Sequence, residues 1–414
     1  MGAPPMQLYA GLDIGATKIA LLVVARDLDG SLRYIEGTRV AASGMRDGAV
    51  VDLGEVADAI ERAIYEVEER LDRRLPALCV GAGGRHIHSI NLRGAANITP
   101  VGREISHDDV AHALGMARAG LRLGESRELL HEIPRAYMVD GQVGVRDPRG
   151  MAGGELEVEV HYVSAAAAPL KNLLKCVRQA SGVPEMVVAA PLAAAEAVRE
   201  SYPGAQSLAI ADIGAESTHL TLLVAGTVWL SEVIAEGGSA ITRELAAQFK
   251  LPYPSAEELK VAHGHCDPAH FDEFALVEQP DQNGFADVLP VAEVARVIQR
   301  RAYGFTDLLA EHFENARSLG VEPEALVLTG GGAELAGLRA LLARGLDLPV
   351  YRGRVAGIAG MPPVLETPAF ATVAGLALWH ARYGGGGDAA SQHRRALPGL
   401  LTGVRRLLGV ATKT

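Results

Sequence analysis

"GLDIGATKIALLVVA" at residues 11–25 and "IADIGAESTHLTLLVAG" at residues 210–226 follow one plan. Each runs as an apolar strand into Asp-x-Gly and returns as a second apolar strand. Gly15 lets the backbone approach an anion, and the N–H groups of such a turn can donate to phosphate oxygens. Thr17 adds a hydroxyl and Lys18 a point charge suited to phosphate. Asp13 and Asp212, at the ends of their strands, would face a phosphate-bound Mg²⁺, directly or through the water that this ion retains. Two such turns across a cleft would clamp a triphosphate. Taken singly, each also reads as a tight hairpin and nothing more.

Composition narrows the classes. The chain has 414 residues, 49% hydrophobic and 21% charged, the profile of a globular protein with two to four compact units. No apolar run is long enough to span a bilayer, and the first residues predict no secretory leader. Cys79, Cys176 and Cys266 are scattered and odd in number, which predicts a reducing, cytosolic compartment. A net charge of −11 argues against nucleic acid as a partner. Residues 389–414 are the exception, with Arg394, Arg395, Arg405, Arg406 and Lys413 and no acid.

Strands are expected at 8–13 and 18–25 and near 32–42, then a helix over 55–75 with apolar residues at 56, 60, 64, 67, 71 and 75. Residues 84–162 change to short alternating strands around a helix at 106–119, with Ser106 as its N-cap. A second strand-turn-strand begins near 207, followed by a helical tract from 239 to 320 broken by a loop at 263–289. The two Asp turns lie roughly half a chain apart, so the simplest plan is an internal duplication with different insertions.

Further elements carry chemistry. "LVLTGGGAEL" at 326–335 places Gly330, Gly331 and Gly332 between a strand and a helix, where a flat ligand would lie against backbone. "AEGGSAIT" at 235–242 places Gly237 and Gly238 before a helix N-terminus able to receive phosphate. Glu257 and Lys260 share one helix face, either as a ligand-holding pair or as a solvated ion pair. His263, His265, Cys266 and His270 in "HGHCDPAHFDE" match no standard zinc spacing and read as a polar loop. His86 and His88 alternate on one strand and read as packing or capping residues. In the tail, Leu397, Leu400, Leu401, Val404, Leu407 and Leu408 form a stripe with Arg405 and Arg406 off it, behind a "GGGGD" linker. A basic amphipathic helix of this kind suits an anionic membrane surface, although Gly399, Gly403 and Gly409 weaken it. Docking on a partner or a second copy is the other reading.

These segments resemble the actin/Hsp70/sugar-kinase ATPase superfamily and, within it, the FtsA family of bacterial cell-division proteins. "DIGATK" is similar to the family's first phosphate turn, and "SGMRDGAVVDLGEVADAI" to the segment leading into its first helix. "AGGRHIHSINLRGAANI", "EISHDDVAHALGMAR" and "HEIPRAYMVDGQVGVRDPRGM" resemble the inserted 1C (SHS2) subdomain, the most specific part of the likeness. "LVLTGGGAELAGL" resembles the adenosine motif and "TPAFATVAGLALW" a later helical connection, so the likeness covers about 7–384.

The resemblance implies an α/β, actin-like ATPase fold of two duplicated domains with an inserted 1C subdomain. Subdomain 1A would comprise 1–83, 163–195 and 354–383, with 1C at 84–162. Subdomain 2A would comprise 196–235 and 322–353, with 2B at 236–321. A linker would follow at 384–396 and a membrane-targeting tail at 397–414. It further implies ATP and Mg²⁺ held by Asp13, Gly15, Thr17, Lys18, Asp212, Gly214, Ser217, Thr218, Gly237, Gly238, Glu257, Lys260, Gly330, Gly331 and Gly332, with at most weak hydrolysis. The implied role is a scaffold on the cytoplasmic side of the cell membrane at the division site. It would polymerise, bind other division proteins through 1C and tether FtsZ, whose C-terminal peptide would dock on "ARVIQRRAYGF" at Arg301. Leu400, Leu401, Val404, Arg405, Arg406, Leu407 and Leu408 would meet the membrane.

The second turn departs from the family's Asp-Ile-Gly-Gly-Gly-Thr-Thr-Asp. Ala215 and Glu216 replace two glycines, and His219 replaces the final Asp. Two unit charges 4 Å apart at an effective dielectric of about 20 repel by roughly 4 kcal/mol. Glu216 therefore points away from the phosphates, weakens nucleotide binding, or helps to hold the metal. A nucleotide-independent adaptor of the pilus-associated type stays open, as does a small-molecule kinase, for which no base or substrate pocket is assigned.

Overall fold

The computed structural model describes residues 6–202, 204–272, 274–280 and 286–384. Leu8–Ile14 pairs antiparallel with Lys18–Arg26, from Leu8 opposite Ala25 to Ile14 opposite Ile19. Ser207–Ile213 pairs with Thr218–Val224 in the equivalent register, from Ser207 opposite Val224 to Ile213 opposite Thr218. The same bond closes both turns: Gly15 N–H donates to the Lys18 carbonyl and Gly214 N–H to the Ser217 carbonyl, each at 2.9 Å.

Duplication extends to whole sheets. The first has the order Pro184–Ala189, Leu78–Ala82, Leu8–Ile14, Lys18–Arg26, Leu32–Ala41. The second has Val350–Arg352, Ala325–Thr329, Ser207–Ile213, Thr218–Val224, Thr227–Ile234. In each, the strand that ends in Asp pairs antiparallel on one side and parallel on the other. That Asp therefore sits at the C-terminal end of the parallel strands, where α/β sheets place ligands.

Helices Leu53–Leu71 and Ala167–Gln179 cover the outer face of the first sheet. Gly238–Phe249, Tyr253–His263, Val291–Ser318 and Leu338–Leu346 pack with the second. Between the sheets lie Ala190–Val198, buried at every residue, and Ala371–Tyr383. A Cβ on Gly375 would stand 1.7 Å from the Ala193 carbonyl oxygen, so only glycine permits this crossing. Glu196, buried in the first of these helices, pairs with Arg199 at 3.2 Å and with Arg382 of the second.

The insertion forms a four-stranded antiparallel sheet ordered Ile87–Asn97, Glu155–Ala166, Arg127–Val139, Gln142–Val145. Helix His107–Ala119 packs on it, opened by a capping box between Ser106 and Asp109. Strand Glu155–Ala166 runs unbroken between two cores: Leu156, Val158 and Val160 belong to the insert, Val163 and Ala165 to the first domain. The insert also touches the second sheet at edge strand Thr227–Ile234. Ser89 Oγ donates to the Ser231 carbonyl at 2.5 Å, and Asn91 Nδ2 to that of Trp229 at 3.3 Å. The Arg135 guanidinium lies 3.5 Å from the Trp229 ring centroid.

Two local expectations change. The helix expected over 55–75 ends at Leu71, because Asp72 adopts the left-handed conformation and caps it. The segment 263–289, expected as a loop, contains a strand pairing Leu276–Pro280 with Ala286–Pro290. Val277 and Leu289 are buried there while Leu276 and Val288 are exposed, too short a pattern to announce strands. All three cysteines are buried, and none is in a disulfide. Among the described residues, no helix is long and apolar enough to cross a membrane.

His312, on helix Val291–Ser318, pairs with Glu232 on the second sheet's edge strand. The Glu232 hydrogen bond raises the imidazole above its ordinary 6.5. This contribution is therefore complete below 6.5 and fades as pH climbs through the raised value. The pair is partly exposed, so it is worth less than about 1 kcal/mol. The melting-temperature deficit of His312→Gln should accordingly shrink between about pH 6 and pH 9, and a pH-independent deficit would contradict the pairing.

Candidate functional site

The duplicated hairpins bring Asp13 and Asp212 into mutual electrostatic range between the two sheets. Burial pushes the Asp13 carboxyl up to about 6, with Lys18 opposing, the Asp212 charge adding, and His219 opposing. Burial would raise Asp212 as well. His219 N–H, the Thr372 hydroxyl and the Lys18 charge nevertheless hold it below the usual carboxylate value. Thr329 Oγ1 donates to Asp212 Oδ1 at 3.1 Å and Thr372 Oγ1 to Oδ2 at 2.9 Å. His219 Nδ1 stands 3.6 Å from Oδ2. Its Nε2 accepts the Gly84 N–H at 3.0 Å, so the Nδ1 proton faces Asp212.

Lys18 Nζ donates to the Ala369 carbonyl and sits 5.4 Å from the Phe370 ring centroid. Burial lowers its pKa. Thr17, one residue before it, is exposed. Glu216 Oε2 accepts the Asp47 N–H at 2.5 Å, across the cleft in the first domain.

Loop 235–238 forms the next layer. Gly238 N–H donates to the Gly214 carbonyl at 3.0 Å and Ser239 N–H to that of Ala215 at 2.7 Å. Thr218 is fully buried, with its hydroxyl donating to the Glu236 carbonyl at 2.8 Å, so it staples this loop to the turn. Lys260 Nζ reaches Glu257 at 2.7 Å, Thr242 Oγ1 at 2.8 Å and the Gly238 carbonyl at 3.2 Å. Glu257 and Lys260 are thus tied through Gly238 to the second turn. Arg301 lies on helix Val291–Ser318, and its guanidinium meets Glu236 of the same loop at 2.7 Å.

The three glycines do not share one duty. Gly330 adopts φ +79°, and a Cβ there would stand 2.4 Å from the Ile213 carbonyl oxygen. A Cβ on Gly332 would meet Ile213 Cγ2 at 2.3 Å. Gly331 faces open space. Two glycines thus let the loop pack on the Asp212 strand, while the third has no such neighbour.

Among the expected residues, Asp13, Gly15, Lys18, Asp212, Gly214 and Ser217 form the two turns, Gly237, Gly238, Glu257 and Lys260 gather at the second turn, and Gly330 and Gly332 pack on the Asp212 strand, with Gly331 facing open space. Residues Leu400, Leu401, Val404, Arg405, Arg406, Leu407 and Leu408 lie outside the described residues. Thr329 and Thr372, which hold Asp212, were not singled out in the sequence, though both sit in segments that were. No group of three or more His, Cys, Asp or Glu side chains able to hold a metal ion occurs among the described residues. His265 and His270 stack instead, with ring centroids 4.1 Å apart.

Two family models match: "SHS2 domain inserted in FTSA" over residues 84–164 and "Cell division protein FtsA" over 209–375. The chain belongs to the FtsA family. FtsA of Escherichia coli (strain K12) is 28% identical over 382 residues, 90% of this chain and 90% of that protein. FtsA of Neisseria meningitidis serogroup B is 27% identical over 367 residues, 88% of each. Among solved structures, the PilM–PilN type IV pilus biogenesis complex matches with a TM-score of 0.63 at 20% identity, covering 90% of this chain and 98% of that one. MreB5 of Spiroplasma citri bound to ADP matches at 0.53 and 12% identity, covering 91% and 97%. These likenesses show an actin-like fold, and the first family model places the FtsA insertion on the four-stranded sheet.

The glycine geometry gives a direct check. Gly332→Ala should lose about 1–3 kcal/mol through overpacking against Ile213, whereas Gly331→Ala should stay within about 0.5 kcal/mol of the parent. Urea unfolding of both variants measures this, and equal losses would refute the division of duties.

Proposed function

We propose that this FtsA-family chain is an ATP-binding, actin-like scaffold that self-associates and tethers FtsZ to the cytoplasmic membrane at the division site. The observation that carries the nucleotide part is the confrontation of two register-matched turns ending in Asp13 and Asp212. Burial pushes the Asp13 carboxyl up to about 6 beside the buried Asp212, and a divalent cation bound there would favour the charged form of both. The residues therefore fit Mg²⁺, with Asp13 and Asp212 holding its water shell. Bound there, the ion would neutralise phosphate oxygens.

The turn N–H groups, Thr17 and Lys18 would face the phosphates, while Gly331, Gly237, Glu257 and Lys260 would border the nucleoside. A nucleotide in this cleft is consistent with the ADP of the MreB5 neighbour. Ser217 supports the second turn and Thr218 secures its loop, so their proposed part is structural. No described residue is assigned as a base for water attack, and efficient hydrolysis is not part of the proposal. The subdomain plan is proposed with the boundaries given above, with 1C and actin-like contacts serving assembly and other division proteins. Arg301, half-buried and paired with Glu236, would receive the FtsZ C-terminal peptide beside exposed Tyr303. The second reading, a nucleotide-independent adaptor, is favoured by one contact, the Glu216 bond to Asp47.

Calorimetry of ATP binding, with and without Mg²⁺, tests the proposal. Wild-type protein should bind ATP at about micromolar Kd, roughly −8 kcal/mol, with weaker binding after Mg²⁺ removal and in Asp13→Asn. Binding confined to Glu216→Gly would select the adaptor reading. A separate titration with the FtsZ C-terminal peptide should show at least about tenfold weaker binding by Arg301→Ala, and equal affinity would remove Arg301 from the contact.

A further inference from the structure

The two residues that depart most from the family's second turn make the same kind of contact. Glu216 Oε2 accepts the Asp47 N–H at 2.5 Å, and His219 Nε2 accepts the buried Gly84 N–H at 3.0 Å. Both acceptors belong to the second domain's hairpin, and both donors to the first domain.

The donors form one platform. Asp47 and Gly48 make the positive-φ turn between the short strands Met45–Arg46 and Ala49–Val50. This turn lies against 83–85: Arg85 N–H donates to the Asp47 carbonyl at 3.3 Å, and a Cβ on Gly48 would stand 2.2 Å from the Gly83 carbonyl oxygen. Gly83 also approaches the second domain, since its Cβ would lie 2.8 Å from His219 Cε1. Arg85 reaches across to the Ala235 carbonyl at 3.5 Å. The platform is fixed by backbone, so the two acceptor side chains are its adjustable half.

We infer that Glu216 and His219 form an interdomain latch that fastens the second turn to the first domain and holds the cleft closed without nucleotide. A ligand lying between two phosphate turns closes such a cleft by bonding to both. Here protein atoms make two such bridges between the second turn and the first domain, and both bonds must break before the turns part. The latch stands on protein contacts alone and does not depend on the proposed ATP role.

Amide hydrogen exchange on the nucleotide-free full chain tests it. The Asp47 and Gly84 amides should be protected in wild type. Both should exchange at least about tenfold faster in Glu216→Ala/His219→Ala, the scale of one lost hydrogen bond. Amides of core residues Leu12 and Ile210 should not change. Glu216→Gln keeps an acceptor oxygen and should keep the Asp47 protection, which a merely electrostatic role for the carboxylate would not. Unprotected Asp47 and Gly84 amides in wild type, or unchanged protection in the alanine variant, would overturn the latch. If the double variant loosens its core, Glu216→Ala alone decides through the Asp47 amide. Adding ATP and Mg²⁺ to the double variant reports separately on nucleotide: restored protection supports a bridging ligand, and failure counts against the ATP reading alone.

Discussion

Everything around the cleft depends on how closely two helices cross. Ala190–Val198 and Ala371–Tyr383 are composed largely of small and apolar residues, and Gly375 surrenders its side-chain space to the Ala193 backbone. A crossing this tight lets one helix pair serve as common floor for both sheets. Ala371–Tyr383 also reaches into each half: Thr372 donates to Asp212, while His380 meets the backbone of Ala10 and the carboxylate of Glu185. The buried Glu196 is tolerable because two arginines meet it. Widening this crossing would separate the Asp turns before disturbing either sheet.

The duplicated halves are equal in backbone and unequal in charge. At matching positions the first turn carries Thr17 and Lys18, the second Glu216 and Ser217. One turn therefore carries a cation, and the other offers acceptors to the opposite domain. This asymmetry makes the cleft a joint between unlike partners, with two buried carboxylates beneath and hydrogen-bonded contacts at the side.

Much of the fold was legible because its signals are local. Asp-x-Gly between apolar runs marks both hairpins, and Ser106 with Asp109 marks the helix of the insert. The strand pairing at 276–290 escaped because each strand is only five residues long, too short to show a period. At the site, the turns and the glycine loops could be located from residue types at short spacing, whereas spacing alone left the Glu257–Lys260 pair between a ligand-holding and a solvated one. The destinations of Glu216 and His219 could not, since their partners are backbone N–H groups 169 and 135 residues away, which no letter records. Thr218 misleads for the opposite reason. A hydroxyl beside a phosphate turn reads as a donor to ligand, but burial commits it to the Glu236 carbonyl.

The inserted sheet does more than add a domain. Ser89 and Asn91 give side-chain donors to outward carbonyls of strand Thr227–Ile234, the free margin of the second sheet. On the first sheet, Ala359 pairs with the margin strand Leu32–Ala41 through Arg33, and its carbonyl accepts the Tyr34 N–H. Unpaired margins are where sheets recruit foreign strands and aggregate. Cover at 32–34 on one margin and at 229 and 231 on the other shortens the free edge that a foreign strand could extend.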